Sequence, residues 1–283
     1  MSEECTHNCE TCGANCESRE IQKEKLNDQS VVRKVIAVVS GKGGVGKSLV
    51  TGLLATIAQR AGLKTAILDA DVTGPSIPKM FKFSSACTAD ETALIPAVTA
   101  TGIKVMSVNL LLENETDPVI WRGPVIAGTV KQFWTDVNWG DNDIMFIDMP
   151  PGTGDIHISL VQDIPMEGAV IVTTPQAVAL ADVEKGVDMF RNKNVARKIF
   201  GLVENMSWFT PAELPDNKYY IFGKDGGVKM AENYGIPLLG QIPLVQSIRE
   251  NGDEGEPAAL SSRPDGIAFI ELAENLVKAV NMP

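Results

Sequence analysis

Residues 41–48 read Gly41-Lys42-Gly43-Gly44-Val45-Gly46-Lys47-Ser48. An apolar, largely β-branched run at 35–39 precedes this stretch, and a helix-like pattern begins at Lys47. A glycine cluster alone is more often a turn, but a strand, a glycine-rich loop and a helix N-terminus together are typical of a phosphate-binding loop. We expect the backbone N–H groups of 41–46 to converge on phosphate oxygens, Lys47 to hold the β- and γ-phosphates of ATP, and the Ser48 hydroxyl to bind Mg²⁺.

The composition favours a cytoplasmic protein with a substantial core. The chain has 283 residues, 44% of them hydrophobic, and its net charge of −11 argues against non-specific binding to nucleic acid. No apolar run approaches the roughly 20 residues of a membrane span. The chain opens Met1-Ser2-Glu3-Glu4 rather than with a basic, apolar signal segment. We therefore expect a soluble protein with neither a nucleic-acid nor a membrane partner.

Four of the five cysteines lie close together, at Cys5, Cys9, Cys12 and Cys16. Clustered cysteines in a cytosolic protein more often bind metal than form disulfides. Four thiolates at this spacing suit an iron–sulfur cluster first and zinc second, with free thiols as the last alternative. Cys87 stands alone and is expected to be a core or surface thiol. We divide the chain into a cysteine-rich, metal-binding segment and linker, 1–30, and a P-loop ATPase domain, 31–283.

The domain alternates between strand-like and helix-like patterns. Strands are predicted at 35–39, 64–68, 103–108, 143–147, 169–173, 198–203 and 238–242. Helices are predicted at 47–61, 128–134, 181–192, 226–234 and 265–280. This alternation predicts an α/β fold of the P-loop NTPase type, with a mostly parallel sheet and helices on both faces. Ligands of such folds bind at the carboxyl ends of the strands.

Carboxylates follow two of these strands. Asp69 and Asp71 lie one residue apart at the end of the second strand, where they could orient water and Mg²⁺, although Asp also favours turns. Asp148 ends a later strand and is expected to bind Mg²⁺ through a water molecule. No Ser–His–Asp set accompanies them, because His7 falls in the cysteine segment and His157 is expected to be a surface or helix residue. Hydrolysis would rest on positioning and electrostatics.

The second lysine of the loop, Lys42, marks a subclass. The loop resembles the deviant Walker A motif of the MinD, ParA and nitrogenase iron-protein ATPases. The resemblance implies a homodimer in which Lys42 reaches the nucleotide of the partner subunit.

Two further strings narrow the resemblance. DADVTGPSIP at 69–78 and DMPPGTGD at 148–155 are similar to the Mrp/Nbp-type iron–sulfur carrier ATPases. The resemblance implies slow ATP hydrolysis coupled to the transfer of [4Fe–4S] clusters to apo-proteins. It implies that Asp71 positions the attacking water, that Asp69 supports it, that the N–H of Gly152 senses the γ-phosphate, and that Asn205 reads the adenine edge. Residues 173–176 and 241–243 are further candidates for the base pocket.

The sequence departs from this family in one place. Members commonly carry a Cys-x-x-Cys pair after the segment that begins at Asn205, and the dimer bridges a cluster with it. Here the segment reads NMSWFTPAEL and has no cysteine. Any cluster is therefore expected at the N-terminal cysteines.

Two other functions remain open at the level of sequence. A positioning ATPase of the MinD or ParA class would need a basic membrane helix or a basic DNA-binding surface, and the C-terminal helix pattern is acidic. The third hypothesis is a regulatory ATPase with a zinc-binding N-terminal arm.

Overall fold

The computed structural model describes residues 23–72, 74, 76–111, 123–192, 196–211, 213–214, 216–244 and 264–280. The strands are β1 Val31–Ser40, β2 Thr65–Asp69, β3 Phe83–Ser85, β4 Thr88–Ala89, β5 Leu94–Ile95, β6 Ala97–Thr99, β7 Lys104–Met106, β8 Asp141–Asp148, β9 Gly168–Thr173, β10 Lys198–Glu204 and β11 Leu238–Gln241. The helices are α1 Lys47–Arg60, α2 Ile77–Met80, α3 Gly123–Thr135, α4 Asp155–Asp163, α5 Ala177–Arg191, α6 Gly226–Tyr234 and α7 Pro264–Val280.

A parallel sheet forms the centre of the fold. Its strand order is β11-β10-β9-β1-β8-β2-β7-β6-β3, and all neighbours from β11 to β7 run parallel. β1 lies between β8 and β9, so the loop that follows β1 emerges beside the end of β8. This arrangement confirms the predicted mostly parallel α/β architecture.

Helices cover both faces of the sheet because alternate side chains of the central strands point to opposite sides. On β1, Val35 and Ala37 pack in the core that includes Leu160 of α4. Their neighbour Ile36 packs in the second core, which includes Leu53 of α1 and residues of α7. All seven predicted strands and all five predicted helices are present, with ends shifted by a few residues.

The sequence patterns did not predict the short strands β3 to β6, which include the edge of the sheet beyond β7. β3 and β6 pair antiparallel, β6 pairs antiparallel with β7, and β4 and β5 form a separate two-stranded antiparallel pair. These strands have two or three residues each, so none is long enough to show a period of two. The predicted strand 103–108 is also shorter in the structure, since a 3₁₀ turn occupies Val108–Leu110.

The described part of the linker, 23–30, is bound to the body of the domain. The Lys23 ammonium donates to the carbonyls of Val161 at 2.6 Å and Gln162 at 2.5 Å, at the last turn of α4. The N–H of Glu24 donates to the carbonyl of Asp163 at 2.8 Å. A cation near the last carbonyls of a helix also interacts favourably with the helix dipole. The linker is therefore attached to the C-terminal end of α4.

Candidate nucleotide site

The glycine-rich loop joins β1 to α1 and borders a cavity of about 360 Å³. Gly44 and Gly46 have φ angles of 81° and 83°, in the left-handed region that favours glycine. A β-carbon on Gly46 would lie 2.2 Å from Nδ2 of Asn205, so the loop also needs glycine there for space. Lys42 and Gly43 line the same cavity. The local sequence therefore gives the loop the shape that a phosphate cradle needs.

Lys47 and Ser48 converge on one carboxylate. The Lys47 side chain is 4% exposed, and its ammonium lies 2.8 Å from Oδ2 of Asp148 and 3.9 Å from Oδ2 of Asp71. The Ser48 hydroxyl donates to Oδ2 of Asp148 at 2.6 Å. Four residues predicted from separate parts of the sequence thus meet at the carboxyl ends of β1, β2 and β8.

Asp69 is buried beside this cluster. It lies opposite Asp148 in the pairing of β2 and β8. Its carboxyl group accepts a 3.0 Å hydrogen bond from Ser107 and a 3.1 Å bond from the N–H of Asp71. Burial, and then the charge of Asp148, raises the pKa of Asp69 well above its usual range. Asp69 therefore holds the backbone of Asp71 and is poorly suited to carry a negative charge itself.

The segment after β8 folds back along the end of β1. The N–H of Gly152, predicted to sense the γ-phosphate, donates to the carbonyl of Ser40 at 3.0 Å. His157 is in α4, as expected for a helix residue, but it is buried rather than exposed. Its Nε2 bonds to the carbonyl of Pro150 at 2.8 Å, and burial lowers the pKa of its imidazole. For the N–H of Gly152 to contact a phosphate, it would have to leave the Ser40 carbonyl and donate to a phosphate oxygen instead.

Asn205 directly follows β10 and supports the glycine-rich loop. Its Nδ2 donates to the carbonyl of Val45 at 2.9 Å, and the side chain is 2% exposed. The amide group is thus next to the phosphate-binding loop. Its predicted contact with the adenine edge stays a prediction.

The four N-terminal cysteines and His7 lie outside the described residues. Cys87 is half-buried, with its sulfur 3.5 Å from that of Met106, and burial raises the pKa of its thiol. Within the described ranges, no group of three or more His, Cys, Asp or Glu side chains could hold a metal ion.

Sequence reasoning missed three buried polar residues around the site. Thr51 donates to Asp148, Ser107 donates to Asp69, and Glu204 accepts from the N–H of Gly227 and from Gln241. Thr51 could have been found, because it lies one helical turn after Lys47 on the same face. Ser107 belongs to no motif, and only the pairing of β7 with β2 brings it to Asp69. Glu204 precedes Asn205, and its partners belong to α6 and β11 rather than to the cavity lining.

Comparison with known proteins agrees with this geometry. A family model described as ParA, NUBPL iron-transfer P-loop NTPase, matches residues 31–280. An iron-sulfur cluster carrier protein of Synechocystis is 42% identical over 270 residues, which cover 92% of this chain and 75% of the relative. The mouse iron-sulfur cluster transfer protein NUBPL is 42% identical over 265 residues, covering 92% of this chain and 81% of the relative.

Solved structures show the same fold. A nucleotide-binding protein from Archaeoglobus fulgidus, in complex with ADP, has a TM-score of 0.71 and 38% identity and covers 84% of this chain and 92% of its own. The cell division ATPase MinD of Pyrococcus furiosus, at 22% identity and a TM-score of 0.59, covers 87% of this chain and 98% of its own and shares the fold alone. No helix in the described part of the chain has the length and apolar content needed to cross a membrane. The resemblance to the iron–sulfur carrier ATPases is thus confirmed, and the chain belongs to the NUBPL-type iron-transfer P-loop NTPases.

Proposed function

We propose that this protein is a cytoplasmic, Mg²⁺-dependent ATPase that carries iron–sulfur clusters and transfers them, as [4Fe–4S], to apo-proteins. The observation that carries the proposal is the convergence of Lys47, Ser48 and Asp148 beneath a glycine-rich loop, in a chain of the iron-transfer family. The positioning-ATPase alternative has weaker support, since its structural relatives share the fold alone.

The donor set fits Mg²⁺. This ion prefers hard oxygen ligands and is usually bound through one or two protein groups together with substrate phosphates. The Ser48 hydroxyl and the Asp148 carboxylate, 2.6 Å apart, supply such oxygens. When bound, the ion would neutralise charge on the phosphates. Lys47 would exchange its bond with Asp148 for the β- and γ-phosphates, and Asp71 would orient the attacking water.

The proposal includes a homodimer. Lys42 lines the cavity of its own loop, and its role would be to approach the nucleotide of a second copy. Apo-proteins that require a cluster are the proposed recipients. The cluster itself is cargo, and its proposed ligands are Cys5, Cys9, Cys12 and Cys16. The segment 205–210 supports this assignment, because it contains no cysteine.

The ATPase part is tested by substitution at the site. Lys47→Ala and Asp71→Asn are expected to abolish ATP hydrolysis without unfolding the protein. Glu91→Gln is the matched control, because Glu91 is an exposed carboxylate away from the cavity. A hydrolysis rate that is unchanged in Asp71→Asn would overturn the proposed role of Asp71.

The carrier part is tested by metal analysis. Protein purified without oxygen, or reconstituted with iron and sulfide, is expected to contain about four iron and four sulfide per cluster, the composition of [4Fe–4S]. The Cys5, Cys9, Cys12 and Cys16 to Ser variant should contain neither, and should fail to activate an apo-enzyme that needs the cluster. Zinc in place of iron would favour a regulatory ATPase with a zinc-binding N-terminal arm. ATP-dependent co-sedimentation with liposomes or DNA would favour the positioning ATPases.

A further inference from the structure

Thr51 is a buried residue of α1, one turn after Lys47. Its side chain has no exposed surface. Its hydroxyl oxygen lies 2.7 Å from Oδ1 of Asp148 and 3.1 Å from the carbonyl oxygen of Lys47. A threonine hydroxyl has only one proton to donate. The shorter contact, to the charged acceptor, is the stronger hydrogen bond, so the proton is assigned to Asp148.

The two oxygens of Asp148 therefore have different partners. Oδ2 receives the Ser48 hydroxyl at 2.6 Å and the Lys47 ammonium at 2.8 Å, whereas Oδ1 receives Thr51. Asp148 is fully buried, so water does not provide a substitute donor from bulk solvent. Partners on both oxygens fix the rotation of the carboxylate plane.

We propose that Thr51 is a positioning residue of the magnesium site, which holds Asp148 so that Oδ2 faces Ser48. This inference rests on the proposed Mg²⁺-dependent binding of ATP. Without the hydroxyl, Oδ1 loses its donor, and only the partners of Oδ2 then limit the rotation of the Asp148 carboxylate. Loss of such an outer partner typically weakens metal affinity about 10- to 100-fold.

The same helix provides a threonine with a purely structural bond. Thr56 is also buried, and its hydroxyl donates to the carbonyl of Gly52, four residues earlier, at 2.8 Å. The Thr51 hydroxyl lies 3.1 Å from the equivalent carbonyl, that of Lys47, but donates its proton to the Asp148 carboxylate. Thr56→Val therefore measures the cost of removing a buried threonine hydroxyl from α1 without disturbing Asp148.

The experiment measures ATP affinity calorimetrically, with excess EDTA and across a Mg²⁺ titration, in the full chain. Mg²⁺ is expected to increase the affinity for ATP. The Mg²⁺ concentration that gives half of this increase should be about tenfold higher, or more, in Thr51→Val than in the wild type. Its affinity in EDTA should stay close to that of the wild type, because Asp148 does not hold the phosphates. Thr51→Ser, which keeps the hydroxyl, should restore the Mg²⁺ response, and Thr56→Val should leave it unchanged.

A normal Mg²⁺ response in a folded Thr51→Val variant would overturn the inference, as would an equal loss in Thr56→Val. Thermal unfolding without nucleotide checks folding. If Thr51→Val does not fold, Thr51→Ser and Thr51→Cys are compared instead. A normal Mg²⁺ response in Thr51→Ser together with a weakened response in Thr51→Cys supports the inference. Equal Mg²⁺ responses in the two variants overturn it. Because the assay measures binding, a wild type that gains affinity with Mg²⁺ but never hydrolyses ATP contradicts the proposed ATPase and still tests Thr51.

Discussion

The side-chain amide of Asn205 occupies the space that a β-carbon on Gly46 would need, with only 2.2 Å between Nδ2 and that position. The same amide holds the Val45 carbonyl. A residue that directly follows β10 thus fixes the phosphate-binding loop after β1, although Asn205 and Val45 are 160 residues apart in the chain.

We expect Gly46→Ala to destabilise the protein more than Gly44→Ala. Both positions have a positive φ, which costs an L-residue about 1–2 kcal/mol. Only at Gly46 does the new methyl group also displace Asn205, since nothing lies within 4 Å of a β-carbon on Gly44. Denaturant unfolding without nucleotide measures the difference. Adding Asn205→Ala to Gly46→Ala should recover part of the loss, and equal stabilities of the two glycine variants would contradict the clash.

Asp69→Asn is expected to make the folded protein more stable at neutral pH. Burial and Asp148 raise the pKa of Asp69, so between the unfolded-state value near 3.8 and that raised pKa the folded state binds more protons. Stability therefore falls as pH rises through this window, and the uncharged amide removes that dependence. Unfolding at pH 5 and pH 8 should show a larger advantage of the variant at pH 8. A constant difference would contradict the shift.

His157 is expected to make the protein sensitive to mild acid. Burial lowers the pKa of His157 below its usual 6.5, and among the described residues its Nδ1 has no hydrogen-bond partner that could stabilise a second proton. Below about pH 6.5 the unfolded chain binds a proton that the folded chain resists, so stability falls as pH decreases toward the folded-state pKa. His157→Phe should have a flatter pH dependence between 6.5 and 5. His7, the other histidine of the chain, is present in both proteins and therefore does not contribute to the difference between their pH profiles.

Lys23→Met is expected to loosen the attachment of the linker to α4. The substitution removes both bonds to the last turn of α4, and about 1 kcal/mol or less of stability, because the contact is only partly buried. Limited proteolysis between the cysteine segment and β1 should be faster in this variant. Lys25→Met is the control, because Lys25 is exposed. Equal cleavage of the two variants would show that the two bonds do not hold the linker.

Much of the site could be predicted because it is local in sequence. The loop 41–48 lies between a strand and a helix, and Asp69 and Asp148 each end an apolar strand, so a parallel sheet brings them to one edge. Ser107 is different: it reaches Asp69 only because β7 pairs with β2. Strand order depends on packing across the whole domain, which the local pattern of residues does not specify.

The helix α4 was the main element that the patterns did not name. It is short, nine residues, and its sequence DIHISLVQD has an alternating as well as a helical pattern. Its start is set by the preceding glycine-rich turn, and its packing against α3 stabilises it.

The attachment of the linker to α4 has a mechanical consequence. The nine residues of α4 form a stiff helix roughly 13 Å long. The helix begins after the turn that follows β8, and its last turn contacts Lys23 and Glu24 of the linker. Displacing one tip of such a rod displaces the other tip at once, without unfolding anything between them. A displacement of the turn that precedes Asp155 would therefore be transmitted through α4 to Lys23 and Glu24, at the opposite end of the helix.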